Sequence, residues 1–107
     1  MAFTPENDVQ ASIAAEIGLT RYEAVCHFLI DGNYKADHEE DFAAAFAEYV
    51  NAWSMLVTTK ARRLGGIEIL EAISLFAARS GQPELVEEAD RLVASYQLEV
   101  KPQERGL

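Results

Sequence analysis

The chain has 107 residues, half of them apolar and a quarter charged, which suits one domain with its own core and excludes intrinsic disorder. Its formal net charge is −9, and residues 1–56 carry ten acids against two bases. An acidic field of this kind repels DNA, RNA and anionic lipid, so it argues against nucleic-acid and membrane binding and favours basic partners.

Cysteine content and the absence of targeting signals indicate the compartment. The chain has a single cysteine, Cys26, which cannot form an internal disulfide. The first residues are acidic where a secretion signal would be basic and then apolar, and no apolar run approaches the ~20 residues of a membrane span. We therefore expect a cytoplasmic protein.

The spacing of apolar residues predicts an all-α fold, a compact antiparallel bundle in one domain over 1–107. No stretch alternates as a strand would. The predicted helices, in chain order, span 5–17, 21–31, 38–63, 67–80 and 83–99, with a disordered tail at 103–107.

Residues that start and stop helices set the first two spans. Thr4 and Pro5 resemble a helix start, and Gly18 ends that helix. Thr20 and Glu23 form a capping-box pattern that opens the second helix. Gly32 and the residues after it, to Ala36, predict a loop.

The third predicted helix is the longest, and Asp37 is its predicted N-cap. Its apolar stripe recurs at spacings of three and four residues: Phe42, Phe46, Tyr49, Trp53 and Leu56. The basic residues Lys60, Arg62 and Arg63 fall in its predicted last turn, where cations suit the helix dipole. The β-branched pair Thr58–Thr59 could kink it earlier, and Gly65–Gly66 ends it.

The last two helices complete the predicted core. The fourth is apolar on most sides and is therefore predicted to be central, and Pro102 ends the fifth. The residues expected to be among the most buried are Trp53, Phe46, Ile73, Phe76, Leu92 and Leu85.

Residues 13–29 resemble the helix-turn-helix of bacterial regulators. The likeness rests on Ala14, Ala15, Ile17, Gly18 at the turn, Leu19 and the capping Thr20. It implies a second helix lying in the DNA major groove, presenting Arg21, Tyr22, Glu23 and His27. DNA affinity comes largely from neutralising phosphates, which the acidic half of the chain opposes. The alternative interpretation is an ordinary corner between two helices.

The reactive residues indicate no catalytic, cofactor or metal site. His27 and His38 are the only histidines, and their acidic neighbours do not form a three- or four-ligand zinc pattern. Cys26 has no identifiable base to activate it and is interpreted as a half-buried structural thiol. The sequence therefore predicts a protein that is not an enzyme.

The remaining hypothesis is a small acidic binding module that occupies a basic surface of a partner protein, as antitoxins, immunity proteins and phage anti-defence proteins do. Its predicted partner-binding residues are Asp37, Glu39, Glu40, Asp41 and Glu48. The alternatives are a homo-oligomeric helical assembly protein and a helix-turn-helix regulator. A homodimer is expected, joined through the third helix or the apolar sides of the fourth.

Overall fold

A computed structural model describes the backbone of residues 5–105 and the side chains of residues 5–100. It confirms the predicted all-α fold with five helices, and the described backbone contains no strand. The helices are α1 (Asp8–Ile17), α2 (Leu19–Asp37), α3 (Phe42–Met55), α4 (Thr59–Ser80) and α5 (Pro83–Arg105).

The helices follow one another side by side. Helix α3 packs between α2 and α4, α5 packs on α4, and the short α1 lies against α4 and α2. The resulting molecule is flat, with principal extents of 39 × 39 × 17 Å. Helices in a flat layer cover each other only where they touch. Helices α2 and α5 therefore each keep one side open to solvent.

The core lies along α3. Phe46, Trp53, Ile73 and Phe76 are buried, as predicted. The indole of Trp53 meets the Tyr96 ring edge-on at 5.6 Å, and the Arg62 guanidinium lies 5.1 Å from the indole centroid. The predicted burial of Leu85 and Leu92 is wrong: both are only half-buried, because α5 is the outermost helix of the layer.

Two predicted helix ends are wrong, because glycines there lie inside helices. Helix α2 continues through Gly32 to Asp37, so the predicted loop over Gly32–Ala36 is helical. Helix α4 likewise runs through Gly65 and Gly66. A methyl group on Gly32 or Gly66 would lie 2.6 Å from a ring atom of Tyr49 or Trp53, respectively. These glycines therefore allow close packing between helices.

The predicted helix over 38–63 is two helices. Helix α3 ends at Met55, and Leu56 leaves the helical conformation to bury its side chain at 1% exposure. The Ala61 N–H donates to the Thr58 hydroxyl at 3.1 Å, so Thr58 caps α4. The chain therefore breaks close to the threonine pair, but Thr58 and Thr59 begin α4 and do not kink a continuous helix. The predicted basic last turn of α3 is instead the start of α4.

The other helix boundaries also differ from prediction. Helix α1 begins at Asp8, capped by Asn7, and Thr4 lies outside the described residues. Helix α5 extends to Arg105, beyond the predicted end at 99. Side chains from 101 onward and the backbone of 106–107 are outside the description, so the disordered tail at 103–107 stays a prediction.

Candidate functional site: the acidic corner

The turn between α2 and α3 carries most of the predicted partner-binding residues. We call Asp37, Glu39, Glu40 and Asp41 the acidic corner. The chain reverses here because Glu40 takes a left-handed conformation, with φ of 52°. That turn brings the Asp41 N–H to the Lys35 carbonyl oxygen at 2.9 Å. The corner is therefore closed by its own backbone, and its residues are exposed.

The cap of α3 is Asp41, so the predicted cap, Asp37, is wrong. The Ala44 N–H donates to the Asp41 carboxylate at 3.1 Å, whereas Asp37 is the last residue of α2. A carboxylate at a helix N-terminus is stabilised by the unpaired N–H groups and by the helix dipole. Asp41 thus has a structural role besides its charge.

The structure gathers four of the five predicted residues and separates the fifth. Every residue of the acidic corner is exposed. Glu48 instead lies on α3 with its side chain 15% exposed, and its carboxylate accepts a hydrogen bond from Lys35 Nζ at 3.2 Å. Lys35 already neutralises Glu48, so Glu48 does not belong to the acidic corner.

No residue of the acidic corner has an ion-pair partner in the part of the chain that the structure describes. In the described part of the chain, the ion pairs within 4 Å join Lys35 to Glu48, Lys60 to Glu16 and Arg62 to Glu99. None of them includes a residue of the acidic corner. Like charges this close repel one another, and a cationic partner would relieve that repulsion.

An aromatic pair that the sequence reading missed adjoins the acidic corner. Tyr34 is 57% exposed, and its ring lies 4.7 Å from that of His38, centroid to centroid. The residue one turn earlier, Ile30, is 52% exposed. Ile30, Tyr34 and His38 are spaced four residues apart, and residues at that spacing share one helix face. This spacing is the sequence signal that could have predicted them as one surface.

The helix-turn-helix segment has a different turn from the one that the resemblance implies. Only Gly18, with φ of 89°, separates α1 from α2, whereas the DNA-binding motif has a turn of about three to four residues. Thr20 lies inside α2, and no side-chain cap forms at its start, so the predicted capping box is absent. Tyr22, expected to face DNA, is buried.

A groove of about 720 Å³ lies between α1, α2 and α4. Tyr22 and Cys26 line it, and burial raises the pKa of both side chains above their ordinary values. Because the thiolate is the reactive form of cysteine, this shift makes Cys26 a poor nucleophile at neutral pH. The remaining lining is mostly aliphatic, including Ile13, Val25 and Leu29.

The basic residues at the start of α4 are used within the fold. The Arg62 guanidinium donates to the Glu99 carboxylate at 3.1 and 3.2 Å, and the Thr59 hydroxyl donates to the same group. These hydrogen bonds hold the pKa of Glu99 below its usual value, against burial, which raises it. They join the beginning of α4 to the far end of α5.

Neither the other described residues nor the comparisons with known proteins add a second candidate site. Among the described residues, no three His, Cys, Asp or Glu side chains are grouped to hold a metal ion. None of the described helices is long and apolar enough to cross a membrane. Comparisons with protein-family models, with curated proteins and with solved structures find no match.

Proposed function

We propose that this protein is a non-enzymatic, cytoplasmic binding module whose acidic corner occupies a basic surface of a partner protein. The mode of action would be that of an inhibitor or regulator, as in antitoxins, immunity proteins and phage anti-defence proteins. The observation that carries the proposal is the set of four exposed carboxylates with no ion-pair partner in the described structure.

The backbone at Glu40 supports this proposal. A left-handed conformation costs a residue other than glycine about 1–2 kcal/mol, and Gly or Asn is the usual occupant. Here an exposed glutamate takes that conformation in the turn between α2 and α3. Strain of this kind is concentrated at functional sites, where the side chain is needed for something other than stability.

The first experiment compares capture of partners by three forms of the protein. The corner variant combines Glu39→Gln, Glu40→Gln and Asp41→Asn, and it retains a helix cap because Asn caps as well as Asp. The control variant combines Glu84→Gln, Glu87→Gln and Asp90→Asn, three exposed acids on α5. Both variants remove the same number and type of charges. Each protein is immobilised and exposed to lysate of the cells that make it, and bound proteins are identified by mass spectrometry.

The proposal requires a basic partner that the wild type and the control variant capture and the corner variant does not. With the partner purified, the association rate of the corner variant at low salt should be about ten-fold lower than that of the wild type. The difference should disappear at high salt, because salt screens exposed charges. Equal binding by all three proteins across the salt series would contradict the proposal.

The second candidate is the homo-oligomer, and exposed residues on α4 favour it. The predicted interface through α3 has little apolar surface left, because Phe46, Tyr49 and Trp53 are buried within the protomer. Ile67 and Leu75 of α4 are 54% and 47% exposed and could be covered by a second copy. Light scattering should give twice the chain mass of 11.8 kDa, and the variant Ile67→Ser/Leu75→Ser should give one chain mass. A wild-type mass of one chain removes this candidate.

A further inference from the structure

One side of α2 is exposed to solvent, and Tyr34 lies at its centre. Val25, Gly32 and Ala36 face inward, and helix geometry places Tyr34 on the opposite side. Around Tyr34, the residues three and four positions before and after it share this side. We call this set the outer face of α2, comprising Ile30, Asp31, Tyr34, Asp37 and His38, all of them exposed.

The outer face has the composition of a binding surface. Tyrosine is enriched at the energetic centres of interfaces because its ring buries a large area and loses little conformational entropy. Here the Tyr34 ring is 57% exposed, and the His38 ring covers part of it. Asp31 and Asp37 lie one turn to either side, with Cβ atoms about 5–6 Å from that of Tyr34. An aromatic surface is thus bordered by two carboxylates.

Arginine is the side chain that satisfies this arrangement. A guanidinium is planar, so it can stack on an aromatic ring and donate hydrogen bonds to carboxylates at its edges. A lysine ammonium can pair with the carboxylates and lie over the ring, but it is more strongly hydrated than a guanidinium and lacks the flat face that stacks on the ring. An uncharged partner would bury the aspartates without a counter-charge, which is costly. A second copy would bring another net charge of −9.

We infer that an arginine of the basic partner stacks on Tyr34 between Asp31 and Asp37. This inference rests on the proposed function and adds the type of side chain that the partner presents. The acidic corner attracts any cation, and the outer face of α2 distinguishes arginine from lysine. The two surfaces share Asp37 but contribute differently, because the acidic corner supplies attraction and the Tyr34 ring supplies selectivity.

The test uses two peptides as probes, hexa-arginine and hexa-lysine, which have equal charge. Their dissociation constants are measured by calorimetry at low salt with the full chain, and nuclear magnetic resonance follows the Tyr34 ring signals. The variants are Tyr34→Ala, which removes the ring, and Tyr34→Phe, which keeps it. The control is Leu98→Ala, which truncates a 70% exposed apolar side chain on α5. The corner variant is measured alongside.

We expect the wild type to bind hexa-arginine about two- to five-fold more tightly than hexa-lysine, the upper value being that of an exposed cation–π contact which lysine does not make at all. Tyr34→Ala should abolish that preference, whereas Tyr34→Phe and Leu98→Ala should retain it. Hexa-arginine alone should shift the Tyr34 ring signals.

The corner variant separates the two proposals. It should weaken the binding of both peptides to a similar extent and leave the ratio of their dissociation constants unchanged. If the wild type shows no preference, or if Tyr34→Ala keeps it, the inference about arginine is overturned while the acidic corner can still stand. If the corner variant binds both peptides as well as the wild type, the proposed function loses its support, whatever the ratio.

Discussion

The adjacent glycines of α4 allow a matched test of how closely its neighbours pack. Each would gain about 1 kcal/mol of helix propensity on replacement by alanine, so this gain cancels when Gly65→Ala and Gly66→Ala are compared. What differs is the atom that the new methyl group meets. At Gly65 it lies 2.8 Å from Cδ1 of Ile13, and at Gly66 it lies 2.6 Å from Cζ3 of Trp53.

The two neighbours differ in their freedom to move. Cδ1 is the end of the Ile13 side chain, which lines the groove between α1, α2 and α4 and can turn into it. Trp53 is a rigid ring held by Tyr96 on one side and Arg62 on another. Overpacking a filled core costs about 1–3 kcal/mol, so Gly66→Ala should be less stable than Gly65→Ala by about that amount.

Urea unfolding followed by circular dichroism measures this difference, and Trp53 fluorescence reports whether the indole has moved. In a thermal scan the two midpoints should differ by about 4 °C or more, given a domain of this size. Gly65→Ala should be near or above the wild type in stability. A Gly66→Ala protein as stable as Gly65→Ala, with unchanged Trp53 fluorescence, would refute the close packing of α4 against α3.

Four further predictions concern single residues. Glu40→Gly should stabilise the fold by about 0.5–1 kcal/mol in urea unfolding, because it removes the left-handed strain, whereas the control Glu39→Gly should not. Glu99→Gln should lower the free energy of unfolding at neutral pH by about 1 kcal/mol. Because the folded-state pKa of Glu99 is lowered, its contribution is present above the unfolded pKa and is lost as pH falls through the folded pKa. The difference in free energy of unfolding between wild type and Glu99→Gln should therefore disappear in acid. A difference that stays constant with pH would show that the Glu99 charge is not its cause. Because burial raises the pKa of Cys26, its thiol in the folded protein should react with iodoacetamide more slowly than free cysteine does. Once urea unfolds the chain, Cys26 should react as fast as free cysteine. Phe46→Ala should cost about 3–5 kcal/mol by urea unfolding, since the ring is 3% exposed, and a cost under about 1 kcal/mol would place Phe46 outside the core.

The acidic corner shows how far charge patterning predicts a site. Four acids that are adjacent or nearly so in the chain had to lie near one another, and the structure places them on one exposed turn. Glu48 is predicted to join them because it falls about two turns along the same predicted helix, 38–63, but that helix begins only after the turn. Its pairing with Lys35 joins α2 to α3, and the sequence contains no local signal for a contact between residues thirteen positions apart. The exposed Tyr34 is not among the predicted site residues, because that prediction rests on acidic residues alone.

Helix type and order were determined by the sequence, because apolar periodicity is a property of neighbouring residues. All five helices are present, and Thr58 marks a real break. Whether a glycine ends a helix depends instead on what packs against it. Gly18 ends α1 with positive φ, whereas Gly32, Gly65 and Gly66 continue helices where another side chain comes within 2.6–2.8 Å of the position that a methyl group would take. A glycine has the same local propensity in both situations, so only the tertiary structure decided between them.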